Sequence, residues 1–246
     1  MIAILAILLQ AAAEEPPGRR FDLKLGRLFV PEHFRAAEKV DVLAHFHGSA
    51  KVVEREFARA KKNAVLVTVN AKGLSAAYAH IVEDPDALQG VLDEALSKIA
   101  NAKPGRLYVS SFSAGYGAVR RILLQGKHEI AWLHLADSLH AGYEEKKPQP
   151  DQVAPFIAYA KSGKPMWITH SAVVPGTYAS TTETADALIE AVGAKREKAD
   201  EKNARGMRLV SKADRGEFHV RGYEGDSGEA HLEQLRNLGE YFATLP

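Results

Sequence analysis

The sequence predicts an α/β protein, a mostly parallel sheet with helices on both faces. Three observations predict it. Two short apolar runs flank Gly26 at the start, as in an antiparallel hairpin. From there the chain alternates short apolar runs with amphipathic stretches, the pattern of repeated strand–helix units. Several of the runs are apolar without alternation, as strands buried on both faces must be.

In order, residues 21–25 and 27–30 form the expected hairpin, 40–46 a buried strand and 53–61 a helix. Residues 64–69 are a β-branched strand. Residues 86–99 are the clearest helix. Leu88, Val91, Leu92, Ala95, Leu96 and Ile99 fall at i, i+3, i+4, i+7, i+8 and i+11, one apolar stripe. Then come a strand (107–111), a helix (116–124), a strand (130–136), a helix (151–160), a strand (165–169) and a helix (182–192). Residues 207–210 and 218–223 are β-like, and 231–245 close the chain as a helix. In such sheets functional groups collect where strands end at their carboxyl side.

A length of 246 residues suits one large α/β domain. A net charge of +1, with acids interleaved among the basic residues, gives no footprint for nucleic acid. Runs such as Lys195–Lys198 and Glu144–Lys147 read as a solvated helix face or loop. The chain has no cysteine, which removes disulfides, thiolate metal sites and a cysteine nucleophile. Residues 2–9 are an unbroken apolar run followed by Ala11-Ala12-Ala13. The run is too short to span a bilayer, which needs about 20 helical residues, so no stable membrane anchor is expected. It suits a signal peptide over 1–13 with a small-residue cleavage site, although no Lys or Arg precedes it. Residues 14–19 then form a tether, 20–246 a single domain, and the protein is expected to be secreted or periplasmic.

The chemistry centres on Ser111-Phe112-Ser113-Ala114-Gly115, between a predicted strand and a predicted helix. A serine on a sharp strand-to-helix turn needs small residues two before and two after it, so that the backbones can pass. Gly115 meets that demand, and Ser111 stands where glycine is usual. The turn sets the Ser113 hydroxyl over a helix N-terminus, where partial positive charge favours an oxyanion. A serine that merely caps a helix is the competing reading.

With this motif after the fifth strand, the chain from hairpin to last helix resembles the α/β-hydrolase superfamily. The resemblance implies about eight strands, no large lid domain, a Ser–acid–His order and two backbone amides as oxyanion hole. It places one amide at Ala114 and the second in the loop His47-Gly48-Ser49, with Gly48 making the turn and Ser49 donating. His45 and His47 could also be read as metal ligands, but no third-ligand motif accompanies them, so no metal or cofactor is expected. His47 and Phe112 are candidates for contact with substrate.

Ten histidines compete for the base. The resemblance puts the base after the last strand, which selects His231, reached through a glycine-containing loop; His219 lies within the strand. The acid usually follows the seventh strand, yet residues 169–175 hold no Asp or Glu. Asp137 stands at the end of the sixth strand and is the preferred acid, with Glu183, Asp186 and Asp226 as alternatives. A small-molecule or polysaccharide-linked ester is the expected substrate. An acyltransferase with the same triad and a non-catalytic binding protein of the same fold are the other readings.

Expressed in a host with a Sec pathway, the exported protein should begin at or near Glu14 by N-terminal sequencing. An intact Met1 on soluble cytoplasmic material would reject export.

Overall fold

The computed structural model describes residues 15–246. The expected signal segment, 1–13, lies outside the described residues. The elements run β1 (Gly18–Leu23), β2 (Gly26–Pro31), β3 (Lys39–Phe46), α1 (Ala50–Ala60), β4 (Ala64–Val69), α2 (Ser75–Ile81) and α3 (Ala87–Ser97). Next come β5 (Lys103–Phe112), a 3-10 turn (Ser113–Gly115), α4 (Tyr116–Gln125), β6 (Ile130–Ala136), β7 (Tyr143–Glu144) and β8 (Lys147–Pro148). The chain continues with α5 (Pro150–Ala160), β9 (Met166–His170), α6 (Thr181–Val192), β10 (Glu197–Lys202), β11 (Arg208–Arg215) and β12 (Phe218–Tyr223). It closes with α7 (Gly228–Arg236) and α8 (Leu238–Phe242).

Among the described residues, ten strands form one sheet in the order β1-β2-β4-β3-β5-β6-β9-β12-β11-β10. The central six, from β4 to β12, are parallel, and the pairs at each end are antiparallel. Parallel strands need crossover helices, and these cover both faces. Val91 and Leu92 of α3, Val119 and Ile122 of α4, Phe156 of α5 and Leu188 of α6 pack with Val42, Val109 and Leu133 on one face. Val53 and Phe57 of α1 and Leu235, Leu238 and Phe242 of α7 and α8 pack with Leu43, Tyr108 and Trp132 on the other. Each such side chain, once buried, contributes about 1.5–3 kcal/mol.

The sheet has ten strands where about eight were expected. The surplus lies partly in β10, Glu197-Lys-Ala-Asp-Glu-Lys202, whose charged composition reads as a solvated loop. It is instead the edge of the sheet, where an outer strand buries little and charge discourages further pairing. The run 144–147 is likewise a small hairpin, with Glu145 (φ 49°) and Lys146 (φ 64°) making its turn. The short helix α2 lies in a stretch the sequence left unassigned. The closing helix begins earlier than expected and breaks in two at Asn237.

From Pro16 on, the segment read as a tether is already part of the body. β1 starts at Gly18, Pro16 is buried, and the Pro17 carbonyl accepts from Glu32 N–H at 3.1 Å. Arg20 Nε lies 2.7 Å from Glu54 Oε2, and Glu54 in α1 is fully buried. Removing one partner of a buried ion pair strands the other charge. Arg20→Ala should therefore cost about 3 kcal/mol in urea unfolding, and a loss under 1 kcal/mol would reject the anchoring role.

Candidate active site

Three adjacent parallel strands, β3, β5 and β6, end within one residue of one another: Phe46 pairs with Ser111, and Phe112 with Ala136. The residue after each is left-handed: His47 at φ 72°, Ser113 at φ 48° and Asp137 at φ 45°. Non-glycine residues rarely adopt this conformation unless their surroundings impose it.

Ser113 opens the 3-10 turn that leads into α4, and its hydroxyl stands at the helix N-terminus. The turn tolerates only glycine at 115, since a Cβ there would sit 2.1 Å from the Phe46 carbonyl oxygen. That close approach packs the end of β3 against the serine turn. Ser111 accounts for its own hydroxyl. Ser138 Oγ donates to the Ser113 carbonyl at 2.8 Å, so its one proton is spent, and Ser111 Oγ at 2.7 Å must be the donor to it.

Asp137 is nine-tenths or more buried, and its Oδ2 accepts from His231 Nδ1 at 2.8 Å. Nδ1 therefore carries the proton, which leaves Nε2 as the basic nitrogen. Burial works to raise the Asp137 pKa, but hydrogen bonds from His231 and Ser171 hold it below the usual carboxylate range. His231 sits in the first turn of α7, behind the cap Ser227, rather than ahead of the helix. The Phe112 ring lies 4.5 Å from the His231 ring, which keeps the imidazole beside the residue that precedes Ser113. No hydrogen bond joins the imidazole to the Ser113 hydroxyl among the described residues; such contacts commonly tighten only with substrate bound.

On the neighbouring loop, Gly48 has φ 116°, and a Cβ on it would meet Leu235 of α7 at 2.7 Å. Ser49 caps α1, so its amide stands at a helix N-terminus as that of Ala114 does. His45 and His47 are committed elsewhere. His45 binds Ser110 Oγ and the His47 carbonyl, both at 2.8 Å, and burial pushes its pKa down to about 3. His47 Nδ1 meets the Tyr78 hydroxyl at 2.7 Å; burial, then the nearby His231, lowers its pKa. Among the described residues no group of three or more His, Cys, Asp or Glu side chains is placed to hold a metal ion.

Phe112, expected to touch substrate, is instead buried between two imidazoles, stacked on His47 at 5.9 Å and against His231. Among the described residues, none of the alternative acids hydrogen-bonds His231. Glu183 closes a capping box with Ser180 at the start of α6, Asp186 pairs with Arg196 at 2.7 Å, and Asp226 is exposed in the loop before α7. Sequence reasoning missed Ser138 and Ser171, whose hydroxyls bind the Ser113 carbonyl and the Asp137 carboxylate. Only their places directly after strand-end residues could have pointed to them.

No family model matches the chain, and no curated protein matches it by sequence. Solved structures do. A variant of the esterase rPPE aligns at 11% identity with a TM-score of 0.50, covering 94% of this chain and 83% of that one. An esterase of Pyrobaculum calidifontis aligns at 15% identity and 0.48, covering 94% and 86%. LAE6, an α/β hydrolase from the metagenome of Lake Arreo in Spain, aligns at 14% and 0.44, covering 94% and 86%. With six central parallel strands, helices on both faces and a strained turn after β5, the chain has the α/β-hydrolase fold.

Proposed function

We propose that the chain is a serine hydrolase that cleaves a carboxylic ester through an acyl-enzyme on Ser113. The observation that carries the reading is the 2.8 Å hydrogen bond from His231 Nδ1 to buried Asp137, beside a serine at φ 48° on the helix α4 turn. The bond fixes the tautomer in which Nε2 can accept a proton. Ser113 Oγ attacks the carbonyl carbon as Nε2 takes the hydroxyl proton. The carbonyl oxygen becomes an oxyanion facing the amides of Ala114 and Ser49, with Gly48 shaping the loop. The imidazolium then gives its proton to the departing alkoxide, which leaves as an alcohol. Water repeats the sequence on the acyl-enzyme, releasing the acid and restoring Ser113.

Short-acyl or carbohydrate-linked esters are the proposed substrates, because the short loops leave little to enclose a long acyl chain. The esterase rPPE, whose fold this chain shares, supports an ester by its name, at the level of fold analogy.

A serine-directed phosphonate should add its mass to the peptide containing Ser113, and Ser113→Ala should abolish both labelling and ester cleavage. Labelling at Ser110 or Ser111 would overturn the assignment. Asp137→Asn should keep the fold and lower kcat by a factor on the order of 10⁴, as in serine proteases. Glu183→Gln should stay within a few-fold of the parent; a collapse of activity there would move the acid.

A further inference from the structure

The loop after β9 carries no carboxylate, yet it reaches the acid proposed above. β6 and β9 are parallel neighbours with Ala136 opposite Thr169, so residues 137 and 171 leave the sheet side by side. The Asp137 N–H donates to the Thr169 carbonyl at 2.7 Å and ties the two strand ends together. Ser171, buried at 1% exposure, donates its hydroxyl to Asp137 Oδ2, the same oxygen that accepts His231 Nδ1. Ser171 Oγ also accepts from Val173 N–H at 3.3 Å, so its single proton is committed to the carboxylate.

The backbone of Ser171 is itself held. Arg196 Nη1 donates to His170 Nε2 at 3.2 Å, and a guanidinium cannot accept, so the His170 proton sits on Nδ1. Nδ1 donates to the Ser171 carbonyl at 2.9 Å, and Arg196 is fixed in turn by Asp186.

Resting on the reading of Asp137 as acid, we infer that Ser171 is a positioning residue. Its hydroxyl and the His231 imidazole converge on one carboxylate oxygen, and so keep that oxygen on the imidazole. A carboxylate with one donor only is free to turn about its last bond, and small misplacements in such a site are costly.

The groups that face the couple are His47 after β3, His140 after β6 and His170 on β9, with the Arg196–Asp186 pair behind His170. Burial lowers the pKa of all three imidazoles, and His231 adds to it at His47. All three are thus biased toward the neutral form, so a move of the acidic limb of kcat/KM that appears only when Ser171 is changed reports on the His231–Asp137 couple.

Ser171→Ala should lower kcat/KM about tenfold or more, the loss of one hydrogen bond to a charged group. It should also move the acidic limb to higher pH, because a carboxylate relieved of one donor offers more charge to the imidazolium. Activity and limb both unchanged, or a fall with the limb unmoved, would overturn the role. If Ser171→Ala does not fold, Asp137→Asn combined with Ser171→Asp decides the matter. Regain of tenfold or more over Asp137→Asn alone supports the shared position, and no regain rejects it. Phosphonate labelling of each variant separates the two failures. A parent enzyme unlabelled at Ser113 removes the hydrolase reading, whereas a labelled parent with a silent Ser171→Ala removes only the inference.

Discussion

The site depends on one backbone constraint: β3, β5 and β6 break within one residue of one another, each into a left-handed residue that is not glycine. His47, Ser113 and Asp137 all take that conformation. Strain of this kind costs of order 1–3 kcal/mol per residue and persists only where neighbours over-determine it. Each residue has such a neighbour. His47 N–H donates to the Val69 carbonyl at 3.0 Å, and Asp137 N–H to the Thr169 carbonyl at 2.7 Å. The Ser113 carbonyl accepts from Ser138 at 2.8 Å. Neighbouring strands and the loop after β6 thus supply the hydrogen bonds that hold these strand ends in unfavourable turns, and the turns lie together because the strands stop within one residue of one another.

Packing carries this arrangement to the last helices. Leu235 of α7 closes on Gly48, and His231 from the same helix rests on Phe112 while it binds Asp137. Phe242 of α8 lies 6.0 Å from Phe57 and 6.4 Å from Trp132, ring to ring, and so anchors the same end of the chain on the sheet. The imidazoles divide by environment. His45 and His134 are wholly buried, with pKa values pushed down to about 3, and hold the core as neutral hydrogen-bonding groups. His231, about a quarter exposed at its side chain, is the one that meets a buried carboxylate beside the serine turn.

What the sequence made legible follows from how local each demand is. The serine turn is a steric requirement written within five residues, from Ser111 to Gly115. Asp137 is readable because it directly follows a strand that is apolar but for His134. Ser138 and Ser171 were not readable: their partners lie 25 and 34 residues away, and a loop hydroxyl has no periodicity to betray it. β10 was hidden for a different reason, since an edge strand buries little and needs no apolar pattern. Phe112 was misjudged because its position next to Ser113 suggested substrate, whereas the fold uses its ring between two imidazoles. The break at Asn237 divides a helix whose apolar spacing runs on across it, so the pattern alone did not mark it.

The strand-end turn at Ser113, at φ 48°, is held against the backbone preference of a residue with a side chain. The unfolding free energies of Ser113→Gly and Ser113→Ala measure that strain. Glycine adopts a left-handed backbone freely, whereas alanine keeps the strain of about 1–2 kcal/mol. Ser113→Gly should be the more stable of the two by about 1 kcal/mol, with neither variant cleaving esters. Alanine the more stable, as at an ordinary strand or helix position, or ester cleavage surviving in either variant, would contradict it.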